Sequence, residues 1–131
     1  MTSQETAAAE IVCLVDDDAG VLTSVGRLLA SDGFKVHLFR EPREFLAHVE
    51  ANAVGLVVLD IWMEQMTGLE VQAKLSRLSP GTRVIIMTGR KDPGAEETAR
   101  QFGATAFFIK PFDADEFLAA VRRALPGVSG T

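Results

Sequence analysis

Two short runs are apolar at every position: Leu56-Val57-Val58-Leu59 and Val84-Ile85-Ile86-Met87. A strand that is hydrophobic on both faces needs cover on both faces, as at the centre of a parallel sheet. Parallel neighbours need long crossover connections, usually helical and right-handed. Helical spacing appears between the runs. Val21, Leu22, Val25, Leu28 and Leu29 recur on one face after Asp18, and Phe45, Leu46 and Val49 do so after Pro42. The alternation of strand and helix repeats five times and predicts an α/β fold with helices on both faces of the sheet.

The other elements follow from punctuation and period. The first strand is Ile11 to Val15, and Ser31-Asp32-Gly33 stops the helix after it. The second strand, Phe34 to Phe39, alternates. Phe34, Val36 and Leu38 are expected on one face and Lys35 and His37 on the other, the pattern of an edge strand. A third helix is expected to bury Leu69, Leu75 and Leu78 before Ser79-Pro80-Gly81 ends it. The fourth helix opens with Asp92-Pro93, a cap and a first-turn proline. Its residues are small or charged, so it should be the least firmly docked helix. The fifth strand is Thr105 to Ile109. The last helix opens with Asp113, has Glu116 three residues on as a capping-box-like pair, and carries Phe117, Leu118, Val121 and Leu125 on its core face before Pro126-Gly127. Five such units fit a doubly wound, flavodoxin-like parallel sheet of order 2-1-3-4-5 with five helices. The domain should span residues 10–125, after a flexible segment 1–9 and before a tail or linker stub 126–131.

With 131 residues there is room for one domain with a real core. A formal charge of -5 argues against direct nucleic-acid binding, which needs a basic face. Cys13 is the one cysteine, so no internal disulfide forms, and a cytoplasmic location is expected. Within the first apolar run it reads as a small core residue. His37 and His48 read as exposed and carry no assigned role. Met1 to Glu10 lacks the basic start and apolar core of a signal peptide. No apolar stretch approaches the ~20 residues of a membrane span.

The chemistry collects at the trailing ends of the strands. The first run leads into Asp16, Asp17 and Asp18, the third into Asp60, the fourth into Thr88, and the fifth into Lys110-Pro111. In a parallel sheet these ends share one rim, where open α/β sheets bind ligands. Carboxylates, a hydroxyl and an amine on one rim suit a magnesium ion and a phosphoryl group, with Asp60 as nucleophile. Asp18 is also placed to cap the first helix. Arg90 and Lys91, after Thr88, read as solvated loop charges.

Four pieces together resemble the receiver domain of two-component response regulators: Val15-Asp16-Asp17-Asp18, Leu59-Asp60-Ile61-Trp62-Met63 with Gly68, Met87-Thr88-Gly89, and Phe107-Phe108-Ile109-Lys110-Pro111-Phe112. Acidic doublets and Lys-Pro pairs are common singly; all four in order, each at a strand end, are specific. The Lys-Pro-Phe segment looks most like receivers that precede helix-turn-helix output domains.

The resemblance implies roles by position. Asp60 would accept a phosphoryl group from a histidine kinase or phosphotransfer protein. Asp17 would bind magnesium directly, Asp16 mainly through water, and the Trp62 backbone carbonyl would complete the protein ligands with Asp60. Thr88 and Lys110 would engage the phosphoryl group, and Phe107 would change rotamer with Thr88. Trp62 and Arg90 stand at the positions that flank the attacking water in dephosphorylation. The face of the fourth helix, fifth strand and fifth helix would then switch, and it is a candidate homodimer surface. Output would come from a downstream protein partner or a C-terminal output domain. Two residues depart from the pattern: Glu64 replaces the usual proline, which should loosen the loop after Asp60, and Trp62 is bulky. A phosphohydrolase resembling the haloacid dehalogenases would need an aspartate where Trp62 stands. A flavin carrier would need a phosphate loop where the three aspartates stand. A phosphorylation-independent interaction module on the same fold is the main alternative, and the intact acidic pair, Thr88 and Lys110 argue against it.

Overall fold

The computed structural model describes residues 11–125; the expected N-terminal segment 1–9, the tail 126–131 and the Pro126-Gly127 stop lie outside the described residues. Strands β1 (Ile11–Val15), β2 (Lys35–Phe39), β3 (Leu56–Leu59), β4 (Arg83–Thr88) and β5 (Ala106–Ile109) alternate with helices α1 (Ala19–Ser31), α2 (Pro42–Ala51), α3 (Gly68–Leu78), α4 (Pro93–Gln101) and α5 (Ala114–Ala124). All strand pairs are parallel and the sheet order is β2-β1-β3-β4-β5, as the run pattern predicted.

The period of two along each strand splits the core into two halves. Val12, Leu14, Leu56, Val58, Ile85 and Met87 pack under Leu22, Val25 and Leu29 of α1 and Phe117 and Val121 of α5. Cys13, Val15, Val57, Leu59 and Ile86 pack under Phe45 and Val49 of α2, Val71 and Leu75 of α3, and Ala95 and Ala99 of α4. With only two buried alanines, α4 has the weakest grip on the sheet. That agrees with its composition.

Three local expectations need correction. Leu38 is 49% exposed rather than packed beside Val36. Its helix neighbour is Gly26, where a Cβ would stand 3.3 Å from Leu38 Cδ2, so α1 has no side chain there to cover the edge strand. Leu78 is 43% exposed, being the last residue of α3, whereas the polar Gln72 of the same helix is buried beside Val71 and Leu75. Gln72 is tolerated inside because its Nε2 donates to the Ala99 carbonyl at 3.0 Å, which ties α3 to α4. The reciprocal capping box lies at Thr67 and Glu70 before α3. Before α5 only one half is made, with Asp113 accepting from the Glu116 N–H at 2.9 Å.

Candidate phosphoryl and cation site

The sheet ladder carries the polar residues to one rim. Past the end of β1 the Asp16 N–H donates to Phe39 O, past β3 the Asp60 N–H donates to Val15 O, and past β5 the Lys110 N–H donates to Thr88 O at 2.7 Å. Each residue is therefore anchored by its backbone while its side chain points on past the sheet. Asp16, Asp17 and Asp60 come together, each offering a carboxylate oxygen within 4.8 Å of the others. They line a cleft of about 290 Å³ with Asp18, Trp62, Gly89, Arg90 and Lys110.

Each acidic group has a distinct environment. Asp16 is fully buried, accepts from the Asp18 N–H at 2.9 Å, and pairs with Lys110 Nζ at 3.2 Å. Burial pushes its carboxyl above the usual range, against the pull of the Asp18 N–H and of Lys110. Asp17 accepts from the Glu64 N–H at 3.1 Å. A proline at position 64 would have no such donor. The departure expected to loosen the loop instead ties it to the acidic cluster. Asp18 caps α1, accepting from the Gly20 N–H at 2.8 Å and the Val21 N–H at 3.2 Å.

Asp60 is 7% exposed, and its Oδ1 has no hydrogen-bond partner. Burial, then the neighbouring Asp16 charge, push its carboxyl up to about 6, while Lys110 and the Trp62 and Ile61 N–H groups pull it down. Gly68 stands against it from behind: a Cβ there would lie 2.2 Å from the Asp60 carbonyl oxygen. The Gly68 N–H meanwhile donates to Ile61 O at 2.8 Å and folds the loop back under the site. Only glycine allows that approach. The sequence motif contained Gly68 without revealing this reason for it.

Thr88 is fully buried at the end of β4, its Oγ1 accepting from the Arg90 N–H at 3.3 Å. Phe107, on β5, is half-buried and packs against the core half under α2, α3 and α4. Neither lines the cleft. The Arg90 guanidinium lies 4.0 Å from the centre of the Trp62 ring, a cation–π contact. Arg90 is thus more than a loop charge: with Trp62 it forms one wall of the cleft. The Lys110–Pro111 peptide bond is cis.

The donors fit a hard divalent cation. All three clustered ligand groups are carboxylates, and the buried Asp60 Oδ1 has no hydrogen-bond partner. No thiol or imidazole lines this cleft, whose cations are Lys110 and Arg90.

The family described as "Response regulator receiver domain" matches residues 12–122, which include every residue of this rim. The chain belongs to that family. Among relatives, it is 37% identical over 117 residues to the response regulator protein TodT of Pseudomonas putida, covering 89% of this chain and 52% of TodT. The receiver thus spans about half the length of the curated relatives it matches first. It superimposes on a CheY-like receiver domain protein from Methanospirillum hungatei JF-1 with TM-score 0.84 and 27% identity, covering 92% of this chain and 97% of that one. It likewise matches the beryllofluoride-activated NtrC4 receiver domain dimer, with TM-score 0.84 and 26% identity over 91% and 98% of the two chains. This receiver is a signalling domain of two-component systems. Among its described residues, no helix is long and apolar enough to cross a membrane.

Proposed function

We propose that this receiver takes a phosphoryl group on Asp60 from a histidine kinase or a phosphotransfer protein, in the cytoplasm, with magnesium as cofactor. The observation that carries the reading is the buried Asp60 carboxylate with an unpartnered Oδ1, facing a cleft that also holds Asp16, Asp17 and Lys110. Magnesium held by Asp16, Asp17, Asp60 and the Trp62 carbonyl would supply the positive charge that lets a carboxylate approach an anionic phosphoryl group. In the transfer an Asp60 oxygen bonds to phosphorus, the phosphorus–nitrogen bond of the donor's phosphohistidine breaks, and the departing imidazole takes a proton from solvent. Asp60 acts as the carboxylate; burial and Asp16 raise its pKa in the metal-free protein, and a cation held beside it would favour the charged form.

The chain's own groups then respond to the new charge. A phosphoryl group brings about -1.5 to -2 charge and three acceptors. Lys110, now 3.2 Å from Asp16, turns its amine to one phosphoryl oxygen. Thr88, whose Oγ1 at present only accepts, donates its O–H to another. Gly89 leaves room, since nothing stands within 4 Å of where its Cβ would be. Thr88's movement opens space for Phe107 and reshapes the face of α4, β5 and α5. Shifting a two-state switch from 1:99 to 99:1 takes about 5.5 kcal/mol. Two or three charge-assisted contacts of ~1.5–3 kcal/mol each supply that. The weakly buried α4 is the element least costly to move. The output passes to a protein partner or an attached output domain, and the same face is proposed for homodimer contacts.

The test is intact mass after incubation with acetyl phosphate and magnesium. The parent gains one phosphoryl mass; Asp60→Asn gains none. Asp17→Ala weakens magnesium binding and slows phosphorylation strongly. An adduct that persists in Asp60→Asn places the acceptor elsewhere, and an unchanged magnesium titration in Asp17→Ala reduces the acidic cluster to a helix cap. Hydrogen exchange with and without the beryllofluoride mimic should change in Pro93–Gln101 and around Thr88. Changes confined to α1 and α2 would contradict the switch.

A further inference from the structure

The chain has one cysteine and two histidines. All three meet. Cys13, His37 and His48 each offer a ligand atom within 4.8 Å of the others. We propose that Cys13, His37 and His48 form a second cation site, for a thiophilic transition metal of the Zn²⁺ type, on the sheet face covered by α2.

The fold brings the set together in a simple way. Cys13 of β1 and His37 of β2 are register partners on adjacent parallel strands, so their side chains leave the same face of the sheet. His48 comes down from the last turn of α2 above them, with its ring edge-on to that of His37 at 5.5 Å. Asn52 steadies His48: its Nδ2 donates to the His48 carbonyl at 3.1 Å and lies 3.3 Å from Nδ1.

Access and chemistry agree. A cavity of about 240 Å³ is lined by Cys13, His37, His48, Asn52 and Val54. Cys13 lies at its buried end, while His37 is exposed and His48 half-buried, so a cation has a way in. A thiolate with two imidazoles is a borderline-soft donor set that selects zinc-like ions over magnesium. Tetrahedral ligands ~2.0–2.3 Å from zinc stand ~3.3–3.6 Å apart, so modest rotation of the two non-core histidines closes the set. Solvent completes the fourth position. Burial pushes the Cys13 thiol up to about 11, so the cation enters as the thiol proton leaves for solvent. The acidic cleft offers only carboxylates at its cluster, and the two sites differ in donor chemistry.

The experiment is a Co²⁺ titration of the reduced, untagged chain with excess Mg²⁺ present to fill the acidic cleft. A sulfur-to-cobalt charge-transfer band should appear, saturate at a single site per chain, and vanish when Zn²⁺ is added. His37→Ala and His48→Ala, at positions outside the fully buried core, should each weaken binding by at least about 10- to 100-fold, the loss typical even of outer-shell changes. Cys13→Ser should remove the band; if that buried change prevents folding, the histidine variants still decide. Absence of the band, or a band of equal affinity in His37→Ala and His48→Ala, overturns the proposal and leaves the two rings as an edge-on contact only. Cobalt binding that Mg²⁺ abolishes overturns it too, by placing the ion in the acidic cleft.

Discussion

Asp60→Asn raises the unfolding free energy of the magnesium-free protein by up to about 3 kcal/mol above pH 6, at about 1.4 kcal/mol for each tenfold change in proton affinity. The cause is the carboxyl's rise from 3.8 to about 6 on folding, driven by burial and then by Asp16. The sign follows from proton counting. Between pH 3.8 and 6 the folded protein holds the Asp60 proton and the unfolded chain has lost it. Stability therefore falls as pH rises through that window, and the cost of the buried charge is present in full above the folded value. This reverses the usual carboxylate behaviour, in which a salt-bridged acid stabilises at neutral pH. Asparagine keeps the size and removes the charge. Chemical denaturation at several pH values, with chelator, reads the effect: Asp60→Asn should be the more stable protein at pH 7.5, and its own curve should be flatter between pH 4 and 6. Added magnesium should narrow the gap by stabilising the parent, by about 2.7 kcal/mol at a hundredfold excess over Kd. A variant no more stable than the parent at pH 7.5 would mean that the Asp60 charge costs the fold nothing.

Phosphorylated parent protein should lose its phosphoryl group slowly, and Trp62→Asn or Trp62→Glu should lose it about tenfold faster. Dephosphorylation needs a water in line with the bond between phosphorus and the Asp60 oxygen. Trp62 and Arg90 both line the cleft, and the guanidinium lies 4.0 Å from the ring centre. The two side chains meet in the cleft. An indole has no acceptor and a guanidinium stays charged, so neither takes a proton from that water. A carboxamide or carboxylate at position 62 admits the water and helps hold it. Tenfold corresponds to about 1.4 kcal/mol of barrier. Trp62→Phe, which keeps a flat apolar shield, should stay near the parental rate. The assay follows decay of the phosphorylated protein after the donor is removed, with magnesium in excess. Decay of Trp62→Asn at the parental rate or slower would strip the indole of any shielding role and leave it as a surface aromatic for partner contact.

Much of the molecule was legible before folding because its signals are local. The unbroken runs Leu56–Leu59 and Val84–Met87 marked central parallel strands, and both are buried on both faces of β3 and β4. Asp92-Pro93 marked the start of α4, and Asp92 caps it by accepting from the Ala95 N–H. Asp16, Asp17, Asp60 and Lys110 were marked by standing just past the ends of strands, and once the sheet is parallel they share a rim. Leu38 and Leu78 misled because periodicity gives the direction of a side chain along its own element and says nothing of what stands opposite. Gly26 stands opposite Leu38, and α3 simply ends at Leu78.

The sequence by itself determined the alternation of elements, the parallel order of the strands and the set of groups at the strand ends. The alternation and the strand-end groups follow from hydrophobic period and turn residues within a few positions of one another, and the order from the fit of five such units to a flavodoxin-like sheet with the fully apolar strands at its centre. Tertiary structure alone decided which groups touch. Lys110 meets Asp16 across 94 positions, and Glu64 holds Asp17 across 47. Arg90 lies on Trp62, Gly68 makes room for the Asp60 carbonyl, and the chain's one thiol meets both its imidazoles. These are matters of strand register and loop path, and the residues involved are too far apart in the chain for any local pattern to record them.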